Sequence, residues 1–192
     1  TLAETKPPFE SLEAFNRKII EPESIRLFFV RDPVEVIVLN SSPRETVLRN
    51  HPNIDLGSRK IPVDNSVYIS KDDALKLNCG DQIRLIELYN IQIVDIKAEA
   101  RRLTIIGKWS GDEVKPDVAK FQWVAKNDAH PFAIFVPREL YIGDKYNDKS
   151  LEVWKGFCES YVTTLKPGSM VQFVRMGFCR IEGVNSAIYS HR

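Results

Sequence analysis

Little in this chain points to catalysis. Its three cysteines, Cys79, Cys158 and Cys179, and its three histidines, His51, His130 and His191, are scattered along 192 residues. An odd cysteine count with no CxxC pair argues for reduced thiols rather than a disulfide framework. A metal site would need ligands converging from unrelated segments, and none is expected. There is no GxSxG elbow, no glycine-rich phosphate loop carrying Lys and Ser/Thr, and no HExxH. Asp72 and Asp73 are neighbours, so on a helix they diverge by about 100° and serve better as first-turn charges than as a shared acid–base site. Cys158, in WKGFCES, has no histidine near it in sequence and reads as a buried structural thiol. No apolar run reaches the length of a transmembrane helix, and TLAETKPPFESLEAFNRK at the start lacks the apolar core of a signal peptide. A cytoplasmic setting is therefore expected. The chain opens on Thr without Met, which suggests a processed chain or a fragment. A large charge excess is missing too. With 27 basic against 26 acidic residues, any nucleic-acid surface must come from local clustering of Arg and Lys.

What is present is a dense run of short, strand-like segments. Phe9–Ile20 reads as a helix from the spacing of Leu12, Phe15, Ile19 and Ile20, with Glu10 or Ser11 as its cap and Pro22 beyond its end. From Leu27 onward the texture changes, and Val34, Val36 and Val38 alternate with their neighbours. Ser41–Asn50 is polar and basic and reads as a loop, and HPNIDLG at 51–57 reads as irregular. Strand candidates follow at 59–63, 66–69, 82–89, 90–97, 102–108, 121–124, 132–136, 170–174, 179–184 and 187–190. Lys71–Leu77 reads as a short helical turn capped by Ser70, Leu151–Glu159 as a second short helix, and Arg101–Arg102 as turn charges. Many short strands with turn signals between them indicate a barrel or sandwich, and their number suits two linked barrels.

Two distant segments, IRLFFVRDPVEV (25–36) and VQFVRMGFCRI (171–181), each set an Arg among aromatics. An Arg beside an amide, as in Arg26 with Gln172 and Arg175, is suited to the edge of an unpaired base, and aromatic neighbours offer stacking surface. The competing reading is two amphipathic strands with solvated arginines. Phe28 and Phe29 cannot both face inward from one strand, so one of them is expected to be exposed for stacking. Trp109, Trp123 and Trp154 read as core residues.

In order along the chain stand FNRKIIEP (15–22), IRLFFVRDPVEV, HPNIDLGSRKIPV (51–63), VYISKDDALKL (67–77), GDQIRLIELYNIQI (80–93), FQWVAKNDAHPFAI (121–134) and LKPGSMVQFVRMGFCRIEG (165–183). Together they resemble the C-terminal anticodon-binding region of a class I glutamyl-tRNA synthetase of the archaeal and eukaryotic type, related to the glutaminyl enzymes. The resemblance implies a mainly β fold of two linked β-barrels behind a short helical segment. Residues 1–25 would end a helical connecting domain, 26–70 and 121–192 would form the proximal barrel, and 71–120 the inserted distal barrel. The HIGH-like and KMSKS-like signatures of such enzymes are absent. The resemblance therefore implies the reading part of an ATP-dependent glutamate–tRNA ligase, with no catalytic residue or cofactor of its own and inactive alone. The implied partners are tRNA-Glu, with tRNA-Gln as a second substrate, and other synthetases in an assembly; no DNA and no membrane are expected.

Residue by residue, the resemblance puts Arg26, Gln172 and Arg175 around the middle anticodon base, a uridine. It puts Arg84 at the first base or its phosphate, Lys76 at the third, and Asn53 in a loop approaching the anticodon. Ile86 stands where glutaminyl relatives are basic, and Lys76, a point charge, stands where they use an Arg that forks to a guanine edge. Both departures imply relaxed reading. Two alternatives stay open: a 5S-rRNA-binding ribosomal protein with a related barrel, and the equivalent region of a glutaminyl-tRNA synthetase.

Overall fold

The computed structural model describes residues 8–99 and 102–192; Arg101 lies outside them. The chain folds as two curled sheets preceded by the helix Phe9–Ile20. In the first sheet the strands run Ile25–Leu27, Met170–Phe173, Gly177–Gly183, Ser186–His191, Ala129–Pro137, Leu151–Glu159 and Phe29–Arg31. Its two end strands are halves of one segment interrupted at Phe28, so the sheet closes on itself. The second sheet runs Ala119–Phe121, Gln82–Leu85, Asn90–Glu99, Arg102–Trp109, Pro33–Leu39, Ser66–Ser70 and Val124–Ala125. It closes in the same way through 119–125. Around each ring the pairings repeat the pattern parallel, antiparallel, antiparallel, parallel, antiparallel, antiparallel. The two barrels share one topology, and the second interrupts the first between its closing segment and Ala129.

The resemblance implies an inserted barrel at 71–120. The ladders instead put Pro33–Leu39 beside Arg102–Trp109 and Ser66–Ser70 beside Val124–Ala125, so the inserted sheet spans 33–125. Nothing in the alternation of Val34, Val36 and Val38 says which barrel they serve, because that is decided by a partner strand some 70 residues away (Val36 beside Ile105).

Segment 25–31 supplies both interiors. Leu27 and Phe29 belong to the core of the first barrel with Phe132, Phe173 and Ile181, while Phe28 and Val30 belong to the core of the second with Trp123, Ile69 and Ile91. Both phenylalanines are buried, so neither is left for stacking on a base. The expectation of an exposed ring assumed one wet face, and this strand has a core on each side. Of the tryptophans, Trp123 is fully buried, whereas Trp109 is 37% exposed.

Three other local readings are corrected. Arg44–Arg49 is a strand paired with Ser58–Val63 rather than a loop. Leu151–Glu159 is a nine-residue strand laddered to Ala129–Pro137 rather than a helix. The helix Phe9–Ile20 begins after Pro8 with no side-chain cap. By contrast Ser70 does cap the short helix Lys71–Ala74, its hydroxyl accepting from the Asp73 amide. Close strand approach depends on Gly156, where a Cβ would fall 1.9 Å from the Val30 carbonyl oxygen.

Candidate nucleic-acid interface

The two distant Arg-bearing segments meet. Ile25–Leu27 lies parallel to Met170–Phe173, and the register sets Arg26 directly beside Gln172. Residues paired in register share a sheet face. With Leu27, Val171 and Phe173 turned into the first core, Arg26 and Gln172 project outward on the side of Phe28, toward the inserted barrel. Arg26 donates from Nη2 to Glu21 Oε1 at 3.2 Å. Its Nε, a donor, and Gln172 Oε1, an acceptor, are both shielded from solvent and unpartnered. A buried polar atom without a partner costs roughly 1–3 kcal/mol. Tyr89 Oη, Gln122 Oε1 and His191 Nε2 are in the same state elsewhere, and among the described residues this is the one place where two such atoms sit on residues paired in register.

Beside this pair opens a cavity of ≈550 Å³ between the barrels, lined by Arg26, Phe28, Arg49, Pro52, Ile86 and Val174, with Arg59 and Glu87 at its wall. Two of the three arginines are paired with carboxylates, Arg26 with Glu21 and Arg59 with Glu159, so Arg49 is the cation of the lining left to face Glu87 and a ligand. Arg49 is exposed. Arg59 is consumed by the fold. Its Nε and Nη2 donate to the Glu159 carboxylate and its Nη1 to Asn50 Oδ1. Glu159 Oε1 also accepts from the Phe28 amide at 2.6 Å, at the point where segment 25–31 breaks. Burial pushes the Glu159 carboxyl up, and the Arg59 guanidinium and Phe28 amide pull it back without fully cancelling the rise. Only donors face its oxygens, so the carboxylate is the form that fits.

The remaining sequence-derived residues fall into different situations. Arg175, three residues beyond Gln172, adopts a left-handed backbone (φ 66°) and turns toward Asp73 of the inserted barrel, donating from Nη1 at 2.9 Å. Lys76, exposed, stands 3.5 Å from the same carboxylate. Asn53 is exposed on the loop after His51, whose Nδ1 accepts from the amides of Asn53 and Ile54 while its Nε2 meets Glu21 at 3.1 Å. Glu21 therefore ties Arg26 to that loop. Arg84 is not with them. It is buried, and its Nη1 donates to Asn90 Oδ1 and to the carbonyls of Asp112 and Glu113. Arg49 is not legible in the sequence because 44–49 lacks an apolar strand signature, and Arg59, inside the strand read at 59–63, because its partner Glu159 lies 100 residues away.

A second cavity, ≈620 Å³, lies on the inserted barrel near Glu35, Tyr68, Lys71 and Leu75, away from Gln172. Burial works against ionisation of Glu35, but bonds from Lys126, Ser66 and Arg102 outweigh it and hold the carboxyl below its ordinary value. A thiol nucleophile finds no support. The ladder sets His130 opposite Cys158, but the His130 ring bonds to the Val184 carbonyl and Asn185, and burial pushes the Cys158 thiol far up.

Residues 24–107 match the family described as tRNA synthetases class I (E and Q), anti-codon binding domain, and residues 120–182 match a second family of the same description. The glutamate–tRNA ligase of Nitrosopumilus maritimus (strain SCM1) is 36% identical over 192 residues, covering 100% of this chain and 33% of its own. That of Cenarchaeum symbiosum (strain A) is 36% identical over 191 residues, again 100% of this chain and 33% of its own. A Methanococcus maripaludis glutamate–tRNA ligase is 30% identical over 181 residues, 94% of this chain and 30% of its own. The chain thus spans about a third of the length of the curated relatives it matches.

Proposed function

Because the chain belongs to the anticodon-binding domains of the class I (E and Q) tRNA synthetases, we propose that it reads the anticodon of tRNA-Glu for a glutamate–tRNA ligase. The middle uridine is taken at Arg26 and Gln172. Ligation, its ATP, a cytoplasmic setting and any synthetase partners belong to the longer protein. The observation that carries the reading is the unmatched pair on adjacent strands, a donor at Arg26 Nε and an acceptor at Gln172 Oε1. Uracil presents carbonyl acceptors on either side of one N3–H donor. Its edge supplies what both atoms lack, the carbonyl to Arg26 and the N3–H to Gln172, when the two shielded side chains turn outward to meet it. Cytosine, which has an amino group and a bare N3, reverses two of these and is rejected. Arg175 adds a further donor fork, and Arg49 and the Asn53 loop flank the cavity for phosphate or sugar.

Arg84 enters this reading as a support. Its donors hold the 112–113 turn, so first-base recognition rests on the surface around Ile86 and Glu87 and is thin. Lys76 supplies a mobile charge at the third letter, where a fork would separate C from G. Relaxed reading, with tRNA-Gln as a second substrate, follows from that choice. The similar proteins are glutamate–tRNA ligases, which favours this reading over a ribosomal 5S-rRNA protein.

The test is binding of anticodon stem-loop RNAs that differ only in the middle base. Uridine should bind best, and Arg26→Ala should lose about 1–3 kcal/mol on the uridine RNA and little on the others. Equal binding of all four middle bases overturns the assignment. Relaxed third-letter reading is tested in parallel, and a preference for C over G of about tenfold or more, roughly 1.4 kcal/mol, rejects it.

A further inference from the structure

One carboxylate serves two of the cations discussed above. Asp73 is buried at 6% exposure on the short helix Lys71–Ala74 of the inserted barrel. Arg175 reaches it from the first barrel with both prongs, Nη1 to Oδ2 at 2.9 Å and Nη2 to Oδ1 at 3.4 Å. Lys76 Nζ lies 3.5 Å from Oδ1. The Arg175 backbone is held in its left-handed turn by bonds on either side. The Val174 amide donates to the Leu27 carbonyl and the Met176 amide to that of Phe173. The turn therefore aims the guanidinium across the gap between barrels.

Two cations on one anion leave a surplus positive charge. That surplus faces outward, because the Arg175 side chain is 46% exposed and that of Lys76 68%. Only one edge of the guanidinium is used by Asp73, and its other N–H groups remain for a ligand. A pair built for stability alone would not leave its cations half in solvent, where such pairs contribute little.

We propose that Asp73 is a positioning residue that aligns Arg175 and Lys76 together, and so couples recognition of the middle and third anticodon letters. The inference rests on the anticodon reading above. Asp73 touches no base. It fixes the direction of the Arg175 fork and restrains the otherwise flexible Lys76 stem. Removing its charge frees both side chains, so the middle letter loses definition and contact with the third letter weakens in the same step. Because Arg175 and Asp73 come from different barrels, the coupling also needs the barrels to keep their spacing.

The experiment uses this chain with stem-loop RNAs carrying U or C at the middle position and C or G at the third. Asp73→Asn, nearly isosteric, should lower the U-over-C ratio about tenfold, comparable to loss of a base-edge contact, and weaken RNAs with C and with G at the third position alike. In an Arg175→Ala background the same substitution should leave the middle-letter ratio where Arg175→Ala alone puts it. A merely structural Asp73 lowers thermal stability and weakens every RNA equally, with the U-over-C ratio at its wild-type value; that result refutes the proposal. Should Asp73→Asn not fold, Arg175→Lys keeps the charge but loses the fork, and an unchanged U-over-C ratio refutes the proposal equally. A wild-type chain indifferent to the middle letter sinks the anticodon reading itself, and this inference with it. A selective wild type with an equally selective Asp73→Asn sinks the inference alone.

Discussion

Replacing Glu159 by glutamine tests how the two barrels are held to their shared strand. The Glu159 carboxylate accepts two bonds from Arg59 and one from the Phe28 amide. Glutamine keeps an oxygen for Phe28 but turns an NH₂ toward the guanidinium, donor against donor. Arg59, with a side chain 3% exposed, is then a buried cation with its counter-ion gone. Breaking one side of a buried pair costs about 3–5 kcal/mol, a large share of the roughly 5–15 kcal/mol that holds most domains folded. With a urea dependence of about 2 kcal/mol/M, the unfolding midpoint should fall by roughly 1.5–2.5 M. Far-ultraviolet and near-ultraviolet circular dichroism should report the same shift, because the residue beside the break feeds the second core and its neighbours feed the first. The double change Arg59→Met with Glu159→Leu leaves no stranded charge and should be clearly more stable than Glu159→Gln. A loss below about 1 kcal/mol for Glu159→Gln, or a double variant no better than the single, refutes the reasoning.

Gly156→Ala places a methyl 1.9 Å from the Val30 carbonyl oxygen, a backbone atom that no rotamer can move aside. It should cost about 3 kcal/mol or more, whereas Gly183→Ala, with only Ser186 Oγ at 4.0 Å, should leave the melting temperature nearly unchanged; equal melting temperatures contradict this. Glu35, held below the ordinary carboxylate value of 4.5 in the folded chain, contributes stability that is complete above that value and is lost as pH falls through the depressed one. The stability difference between wild type and Glu35→Gln should thus be flat from neutral pH to about 5 and shrink only below about 4.5; a difference that shrinks already above pH 5 contradicts the sign. A thiol reagent on the folded chain should titrate Cys79 alone, since Cys158 and Cys179 are buried and burial pushes the Cys179 thiol up to about 12. Rapid reaction of a second thiol contradicts the packing.

How far the sequence could be read depended on whether a residue's state is decided nearby. The helix Phe9–Ile20 and the Ser70 cap are local, and both were legible. Leu151–Glu159 was not. Leu151, Trp154 and Cys158 fall at helical spacing, and only the ladder to Ala129–Pro137 makes the segment a strand. Arg44–Arg49 has the same cause, being a strand through its partner Ser58–Val63 and not through its own composition. Of the site, Arg26 and Gln172 stand out as Arg and amide among aromatics, 146 positions apart, and the parallel register brings them together. The fate of Arg84 could not be read, since its acceptors include main-chain carbonyls of residues 112 and 113 that carry no side-chain signature.

A strand that packs a different interior on each side cannot slip. Sliding 25–31 by one position would exchange Leu27 and Phe29 with Phe28 and Val30 and misfill two interiors at once, where an ordinary half-wet strand would misfill one. The backbone of Arg26 rides on that strand, and Glu21 holds its guanidinium at 3.2 Å. Its location is therefore settled during folding, before any RNA arrives, and the entropy of placing it need not be drawn from the binding step.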